Sequence, residues 1–252
     1  MTLTDERSPR ARELAERLQR VRGRIAAAER PAGAEEPRLI VVTKYFPASD
    51  VRILADLGVR DVGENKDQEA SAKATELSGA DLDWHFIGQL QSNKAKSVVR
   101  YAASVHSVDR SSLVKALGKA MAAEQQRRAD AGLPARPGLS CFLQVDLRED
   151  AAREADPGRG GAAPAELPRL AQAVEETDGL ALSGLMAVAP LGGDPAAAFR
   201  RLHALSEQLQ QEHPLARNIS AGMSGDLEAA LANGATHLRI GSDVLGARPP
   251  VR

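Results

Sequence analysis

The stretch LIVVTKYFP, residues 39–47, joins a short apolar strand to a lysine. Residues 39–43 are apolar and mostly β-branched, which is typical of a strand buried in a parallel sheet. The preceding segment PAGAEEP, residues 31–37, interrupts any helix that approaches from the amino-terminal side. The stretch therefore predicts the first strand of an α/β fold, with Lys44 directly after it.

Strand-like and helix-like stretches alternate from this strand to the end of the chain. Eight strands are predicted, at residues 39–43, 59–63, 84–88, 104–108, 141–146, 181–187, 217–221 and 237–240. Amphipathic stretches such as residues 49–58 and 195–212 lie between them. Eight such units favour a single closed (β/α)8 TIM barrel, although a doubly wound open sheet would give the same alternation.

Two helix boundaries are well marked. We expect Ser49 to cap a helix that stops at Gly58, and Ser224 to cap one that stops before Gly234. The Gly/Ala/Pro-rich stretch at residues 156–164 predicts a mobile loop.

An extra helix precedes the barrel. Apolar residues recur at spacings of three and four and place one apolar face on a helix over residues 10–29. These residues are Leu14, Leu18, Val21 and Ile25. We expect one domain over residues 1–252, with the helix and a linker at 1–37 and the barrel at 38–248.

The composition indicates a soluble chain of balanced charge. Its 252 residues are 43% hydrophobic and 27% charged, with a formal net charge of −1. We therefore expect neither a nucleic-acid nor a membrane partner, because the sequence has no basic excess and no membrane-length apolar run. The amino terminus lacks the apolar segment of a secretory signal, and the single cysteine, Cys141, is expected to be a buried strand residue. The sequence predicts a cytoplasmic protein.

The functional face of such a barrel is formed by the loops that follow the strands. The candidate residues on these loops are Lys44 after the first strand, Glu64 and Asn65 after the second, Gln89 and Asn93 after the third, Met223 and Ser224 after the seventh, and Arg239, Gly241 and Ser242 at the eighth. His85, His106 and His237 have no metal-ligand spacing, so we expect no metal and interpret them as structural.

Lys44 is the candidate covalent group of this face. It lies between an apolar strand and the aromatic pair Tyr45 and Phe46. Partial burial favours the neutral amine, which is the form that attacks an aldehyde to give an imine. The alternative is a strand-end lysine that reaches solvent or pairs with Glu64.

Two loops near the end of the chain predict a phosphate site. SAGMSGD, residues 220–226, runs from a strand toward a helix and places Ser224 at a helix amino terminus, where the dipole favours an anion. Gly241 and Ser242 repeat this chemistry after the eighth strand. Barrels commonly bind phosphate at these two loops, so the two motifs together favour a phosphorylated ligand.

Arg239 is predicted to point into the barrel. Its apolar neighbours Leu238 and Ile240 should face the helices, and side chains alternate along a strand. An inward arginine needs a partner, which is either a buried carboxylate or a hydrogen-bond acceptor of a ligand, such as a pyridine nitrogen.

Seven segments, in this order along the chain, resemble the pyridoxal phosphate homeostasis proteins, also called the YggS or PROSC family. The segments are VVTKYFP at 41–47, VGENKDQE at 62–69, WHFIGQLQSNK at 84–94, VHSVDR at 105–110, LSGLMAV at 182–188, GMSGDLEAAL at 222–231 and RIGSDVLGAR at 239–248. The chain departs from the usual family pattern at Ala221, where Met is common, at Ser242, where Thr is common, and in the loop from 147 through 159.

The resemblance implies the barrel of the alanine racemase N-terminal domain and a Schiff base between Lys44 and pyridoxal 5′-phosphate (PLP). It also implies that Arg239 lies near the pyridine nitrogen. The other cofactor-binding residues expected from it are Asn65 and Met223 in the pocket, and Ser224, Gly241 and Ser242 at the phosphate.

The sequence favours a carrier over an enzyme. An arginine at the pyridine nitrogen keeps that nitrogen unprotonated and weakens the ring as an electron sink. Racemisation needs acid and base groups on both faces of the substrate, and we expect Tyr45 and Lys44 to point in opposite directions. Related racemases add a second domain and a partner subunit, for which residues 248–252 leave no room, so we expect a monomer.

The expected function is therefore PLP homeostasis, meaning that the protein binds, buffers and delivers PLP, with PLP-dependent apo-enzymes as recipients. A PLP-dependent amino-acid racemase is the alternative. A class I aldolase that uses Lys44 is a third option.

Overall fold

The computed structural model describes residues 8–149, 158 and 160–248. Its centre is a closed barrel of eight parallel strands, each paired with the next, in which the last strand also pairs with the first. The strands are β1 (Arg38–Val42), β2 (Asp61–Glu64), β3 (Asp83–Phe86), β4 (Ala102–Val108), β5 (Leu139–Gln144), β6 (Leu180–Met186), β7 (Asn218–Ser220) and β8 (His237–Ile240). The predicted barrel is confirmed, and the open sheet is excluded.

Helices surround the barrel. They are α1 (Pro9–Ala27), α2 (Ala48–Asp56), α3 (Asp67–Glu76), α4 (Ala95–Val98), α5 (Ser111–Asp130), α6 (Leu167–Glu175), α7 (Pro195–Glu212), α8 (Leu227–Ala232) and α9 (Ser242–Leu245). None of the helices in the described ranges is both long and apolar enough to cross a membrane. Within the predicted mobile loop, residues 156, 157 and 159 lie outside the described residues.

The extra amino-terminal helix predicted from the sequence is present as α1. The Ser8 side chain caps it by accepting a hydrogen bond from the Ala11 amide at 3.0 Å. Its predicted apolar face is buried and includes Leu14, Leu18, Val21 and Ile25. This face packs against α2, α8 and α9, so α1 lies over the junction where the barrel closes.

The predicted cap at Ser49 is wrong. Helix α2 begins at Ala48, after Pro47, and shows no side-chain cap. Proline presets a backbone angle that suits a helix start, so the helix begins before Ser49. The predicted stop is confirmed, because Gly58 adopts a left-handed φ of 83° after the helix.

The predicted cap at Ser224 is also wrong. Helix α8 begins at Leu227, and Ser224 lies in the preceding turn. That turn is closed by Asp226, whose carboxylate accepts a hydrogen bond from the Met223 amide at 2.6 Å. The carboxylate provides the local acceptor that we assigned to the serine hydroxyl.

Polar and aromatic side chains fill the barrel interior. The His106 ring stacks on Phe142 with 4.2 Å between centroids, and His237 meets Phe142 edge-on at 5.1 Å. His85 lies beside His106, with 5.2 Å between their centroids. These rings come from β3, β4, β5 and β8 and are buried, as is Cys141 on β5. We call the stack of His106, Phe142 and His237 the ring plug, because it closes the centre of the barrel.

Candidate functional site

A cavity of about 420 Å³ lies at the carboxyl ends of β1 and β8. Six of the seven predicted cofactor-binding residues line it, namely Lys44, Met223, Ser224, Arg239, Gly241 and Ser242. The other lining residues are Val42, Tyr45, Phe46, Ile87, Gly225, Gly246 and Arg248. The fold therefore brings together residues that lie up to two hundred positions apart in the sequence.

A strained turn presents Lys44 to the cavity. Strand β1 ends at Val42, and Tyr45 then adopts a φ of 73°, which is rare for a bulky residue. The Tyr45 amide donates a hydrogen bond of 2.7 Å to Glu69 Oε1 on α3. This bond holds the turn in its unusual conformation, as is typical of strained backbone at functional sites.

The prediction that Lys44 and Tyr45 point in opposite directions is wrong. Both line the cavity, and Lys44 Nζ lies 5.8 Å from the centroid of the Tyr45 ring. Strand alternation does not apply, since β1 has ended and the left-handed turn redirects the ring. The Arg248 guanidinium lies 3.6 Å from the same ring, which makes Arg248 a lining residue not predicted from the sequence.

Glu64 does not pair with Lys44, so the part of the alternative in which the two residues form a pair is wrong. Its Oε1 accepts hydrogen bonds from Lys73 Nζ at 2.7 Å and from Thr43 Oγ1 at 2.6 Å. Lys73 Nζ also donates to Glu69 Oε1 at 2.7 Å. Burial raises the pKa of the Glu64 carboxyl in spite of Lys73. This buried cluster supports the turn from behind, outside the cavity.

Ser224 and Ser242 bring two hydroxyls together on one side of the cavity. Their Oγ atoms lie 3.2 Å apart, although the residues belong to different loops. Each hydroxyl can donate a hydrogen bond, so the pair suits an anion that has several oxygens. Helix α8 is short and starts at Leu227, so Ser224 contributes its hydroxyl and not a helix cap.

Arg24 of α1 connects the two serine loops, a role that the sequence did not predict. Its Nη2 donates to the Ser224 carbonyl oxygen at 3.0 Å, and its Nη1 donates to Asp243 Oδ2 at 2.6 Å. It also binds Glu228 on α8 at 2.8 Å. The extra helix is therefore part of the support of the site.

Arg239 points into the barrel, as strand alternation predicted, and is only 5% exposed. Its Nη1 donates to Ser220 Oγ at 2.6 Å and its Nη2 to the Ala187 carbonyl oxygen at 2.9 Å. Burial lowers the pKa of the guanidinium to about 10, which still leaves it charged at neutral pH. Among the described residues Arg239 forms no ion pair with a carboxylate, and its partners there are a hydroxyl and a carbonyl oxygen.

Asn65 is the predicted residue that does not line this cavity. It lies instead at a second pocket of about 250 Å³ together with Gln89, Lys66 and Lys94. Its buried Oδ1 has no hydrogen-bond partner in the described part of the chain. Such an atom costs free energy unless water or a ligand supplies a donor. The exposed Asn93 lines neither pocket.

The comparisons with known proteins agree on one family. The model of the family described as alanine racemase, N-terminal domain, matches residues 17–249. The pyridoxal phosphate homeostasis protein of Corynebacterium glutamicum is 43% identical over 220 residues, which cover 87% of this chain and 93% of that protein. The protein of the same name from Escherichia coli K12 is 35% identical over 94% of this chain and 97% of its own length.

Solved structures give the same result. PipY of Synechococcus elongatus, solved with PLP bound, has a TM-score of 0.72 and 33% identity, and the match covers 92% of this chain and all of that one. D-threonine aldolase from Filomicrobium marinum, at 18% identity and a TM-score of 0.67, covers 93% of this chain and 59% of its own and shares the fold alone. The chain therefore belongs to the pyridoxal phosphate homeostasis protein family and carries the alanine racemase N-terminal domain.

Proposed function

We propose that this protein binds PLP and serves PLP homeostasis by holding, buffering and delivering it, without a catalytic turnover of its own. The observation that carries the proposal is the convergence on one cavity of an amine, a buried guanidinium and two paired hydroxyls. They belong to Lys44, Arg239, Ser224 and Ser242. PipY, a relative of the same fold, binds PLP.

The groups present fit the chemistry of this cofactor. PLP carries an aldehyde, a pyridine nitrogen and a phosphate, and when bound it supplies an electrophilic carbon and an electron-withdrawing ring. Lys44 would hold the aldehyde as a Schiff base, Arg239 would donate to the pyridine nitrogen, and Ser224, Gly241 and Ser242 would hold the phosphate. The cavity of about 420 Å³ is of the size that small-molecule sites usually have, roughly 300–1,000 Å³.

Arg239 favours storage over turnover. A guanidinium has only donors, so a nitrogen that faces it must accept and stays unprotonated. The ring then withdraws electrons less strongly than a protonated one would. Met223 would cover the cofactor from the cavity wall, and Asn65 would contribute from the adjoining loop.

The proposal includes where the protein acts and with what. We place it in the cytoplasm as a monomer, with PLP-dependent apo-enzymes as recipients. Cys141 is the single cysteine of the sequence, so no intramolecular disulfide can form, which suits a reducing compartment. One observation favours a racemase as the second candidate, namely that Tyr45 lies on the same cavity as Lys44.

Borohydride reduction of the protein mixed with PLP tests the proposal. Peptide mass spectrometry should find the reduced cofactor on Lys44, and the label should be lost in Lys44→Ala. Lys66→Ala is the matched control, because Lys66 Nζ lies 5.9 Å from the same Tyr45 ring and should not be needed. A label on another lysine would contradict the proposal.

Chiral analysis after incubation with single L-amino acids separates the two candidate functions. We expect no D-amino acid from the carrier, whereas catalytic formation of the D-isomer would identify a racemase.

A further inference from the structure

A line of hydrogen bonds leads from the cavity into the barrel interior. Arg239 Nη1 donates to Ser220 Oγ at 2.6 Å, and Ser220 Oγ lies 2.8 Å from His106 Nδ1. The other ring nitrogen, His106 Nε2, lies 2.9 Å from Ser104 Oγ. All four residues are buried.

The line continues to the opposite end of the barrel. Ser104 Oγ lies 2.6 Å from His85 Nδ1, which is also 3.0 Å from His106 Nε2. His85 Nε2 lies 2.9 Å from Asp61 Oδ1, at the first residue of β2. Arg38 also donates to Asp61 Oδ1, at 3.1 Å. We call the five residues that lead to Arg239 the interior relay: Asp61, His85, Ser104, His106 and Ser220.

The Arg239 guanidinium, at the cavity end, fixes the direction of the hydrogen bonds. A guanidinium can only donate, so Ser220 must accept from Arg239. The proton of Ser220 is then satisfied by donation to His106 Nδ1. Burial, helped by the nearby Arg239, lowers the pKa of His106 well below its ordinary value, so the ring is neutral. A neutral ring that accepts at Nδ1 carries its proton on Nε2.

The Asp61 carboxyl, at the far end of the interior relay, requires the same direction of the hydrogen bonds. Burial tends to raise the pKa of the Asp61 carboxyl, but the His85 hydrogen bond and Arg38 outweigh this and lower it. An ionised carboxylate can only accept, so His85 donates to it from Nε2. The proton on His106 Nε2 faces both Ser104 Oγ and His85 Nδ1, so His85 Nδ1 has to accept. Ser104 satisfies both rings if it accepts from His106 and donates to His85. Every bond thus points from Arg239 toward Asp61.

We propose that the interior relay positions Arg239, by holding its guanidinium in one orientation toward the cofactor ring. The order of the protons is a property of the free protein. The effect on the cofactor rests on the proposed function. The relay residues do not line the cavity, so they act through Arg239 as positioning residues.

Long-range 1H–15N NMR of the histidine rings in the free protein tests the direction. We expect His106 to be neutral at neutral pH with its proton on Nε2, and we expect the Nδ1 atom of His85 to accept a hydrogen bond. The signals can be assigned with His85→Gln and His106→Gln. A proton on Nδ1 of His106, whether alone or in a doubly protonated His106 ring, would overturn the proposal, because Ser220 could not then donate to it.

The positioning role is tested by Ser220→Ala, with Ser140→Ala as the matched control. Ser140 is a serine of β5 that is hydrogen-bonded to Ser183 outside the relay. We expect Ser220→Ala to release the fixed proton position of His106 and to weaken PLP binding about tenfold, as the loss of one hydrogen bond to a charged group implies. The control should do neither, and equal PLP affinities of the two variants would overturn the role.

Asp61→Asn keeps the test decisive if Ser220→Ala does not fold. An amide of the same size donates as well as accepts, so the His85 proton should no longer be confined to Nε2. An unchanged His85 spectrum would overturn the proposal. The Lys44 label reports separately on the proposed function: a missing label with the expected histidine spectra would reject PLP binding and leave the relay in place.

Discussion

Lys73 shows how much of the site depends on a residue that never reaches the cavity. Its side chain is almost fully buried, and its ammonium group binds Glu64, Glu69 and the Thr43 carbonyl oxygen. Glu69 in turn holds the left-handed Tyr45 beside Lys44. A single buried charge therefore supports both the fold and the geometry of the candidate nucleophile.

We predict that Lys73→Met destabilises the protein by about 3–5 kcal/mol, because it leaves the Glu64 carboxylate buried without its partner. Urea denaturation at neutral pH measures the change. Lys66→Met, at an exposed lysine of the same segment, should change the free energy of unfolding by less than about 0.5 kcal/mol. Equal stability of the two variants would contradict this account of the cluster.

The residues of the site were predictable where strand geometry decides their position. Lys44, Ser224 and Ser242 follow strands, and a barrel gathers strand ends on one face. Alternation along β8 was enough to place Arg239 inside. Tyr45 was mispredicted because no local signal announces a left-handed turn at a non-glycine residue. The cofactor roles of these residues stay predictions.

At the scale of elements, α1 holds the two serine loops and the closure of the barrel together. It packs beside the closure of the barrel, and Arg24 reaches from it to both serine loops. The spacing of its apolar residues predicted the helix but not this contact. Arg24, Ser224 and Asp243 are far apart in the sequence, so only the tertiary fold shows that they meet.

We predict that Arg24→Gln weakens PLP binding about two- to fivefold and leaves stability nearly unchanged. Partly exposed ion pairs contribute up to about 1 kcal/mol. Here we expect their loss to make the two loops that carry Ser224 and Ser242 less well ordered, which weakens binding. Absorbance titration and urea denaturation measure the two effects. Arg20→Gln, on the exposed side of α1, is the control and should affect neither.

Strand positions were predicted better than helix starts. β8 has the predicted bounds, and β1 differs from them by one residue at each end. Apolar runs mark strands directly, whereas a helix start depends on which nearby group satisfies the first amides. At the first of these helix starts, Asp226 accepts a hydrogen bond from the Met223 amide, and Ser224 is not the cap. At the second, the helix begins directly after Pro47, before Ser49.

At the scale of the whole molecule, closure of the barrel could not be read from the order of the elements. It depends on the pairing of β1 with β8, in which Arg38 lies opposite His237 and Val41 opposite Ile240. The alternation of strands and helices is the same in an open sheet. Pairing between the first and last strands is a long-range contact that no local pattern encodes.

The buried histidines predict acid sensitivity of the entire fold. Burial, with His85 and Arg38 nearby, lowers the pKa of His237 to about 3, and the pKa of His106 is also well below its ordinary value. Below about pH 6.5 the unfolded chain takes up protons at these rings that the folded chain does not. The free energy of unfolding should therefore decrease as the pH is lowered below about 6.5, by up to roughly 1.4 kcal/mol per pH unit for each ring. For His237 this decrease continues to about pH 3.

Urea denaturation at a series of pH values measures this slope. His237→Gln should flatten it, whereas His203→Gln, at a partly exposed histidine of α7 outside the barrel interior, should leave it unchanged. A slope that is the same in all three proteins would contradict the role of the buried ring.

The buried Arg239 lines the cavity, and His106 of the ring plug lies behind it, two hydrogen bonds away through Ser220. A molecule bound at Lys44 would therefore enter and leave on the solvent side of the cavity. Binding and release of the cofactor would then use the same opening of the cavity and could not occur at the same time. A second PLP molecule could bind only after the first had been released through the same opening. Under the proposed function, binding and release of PLP would therefore alternate, with one molecule at a time.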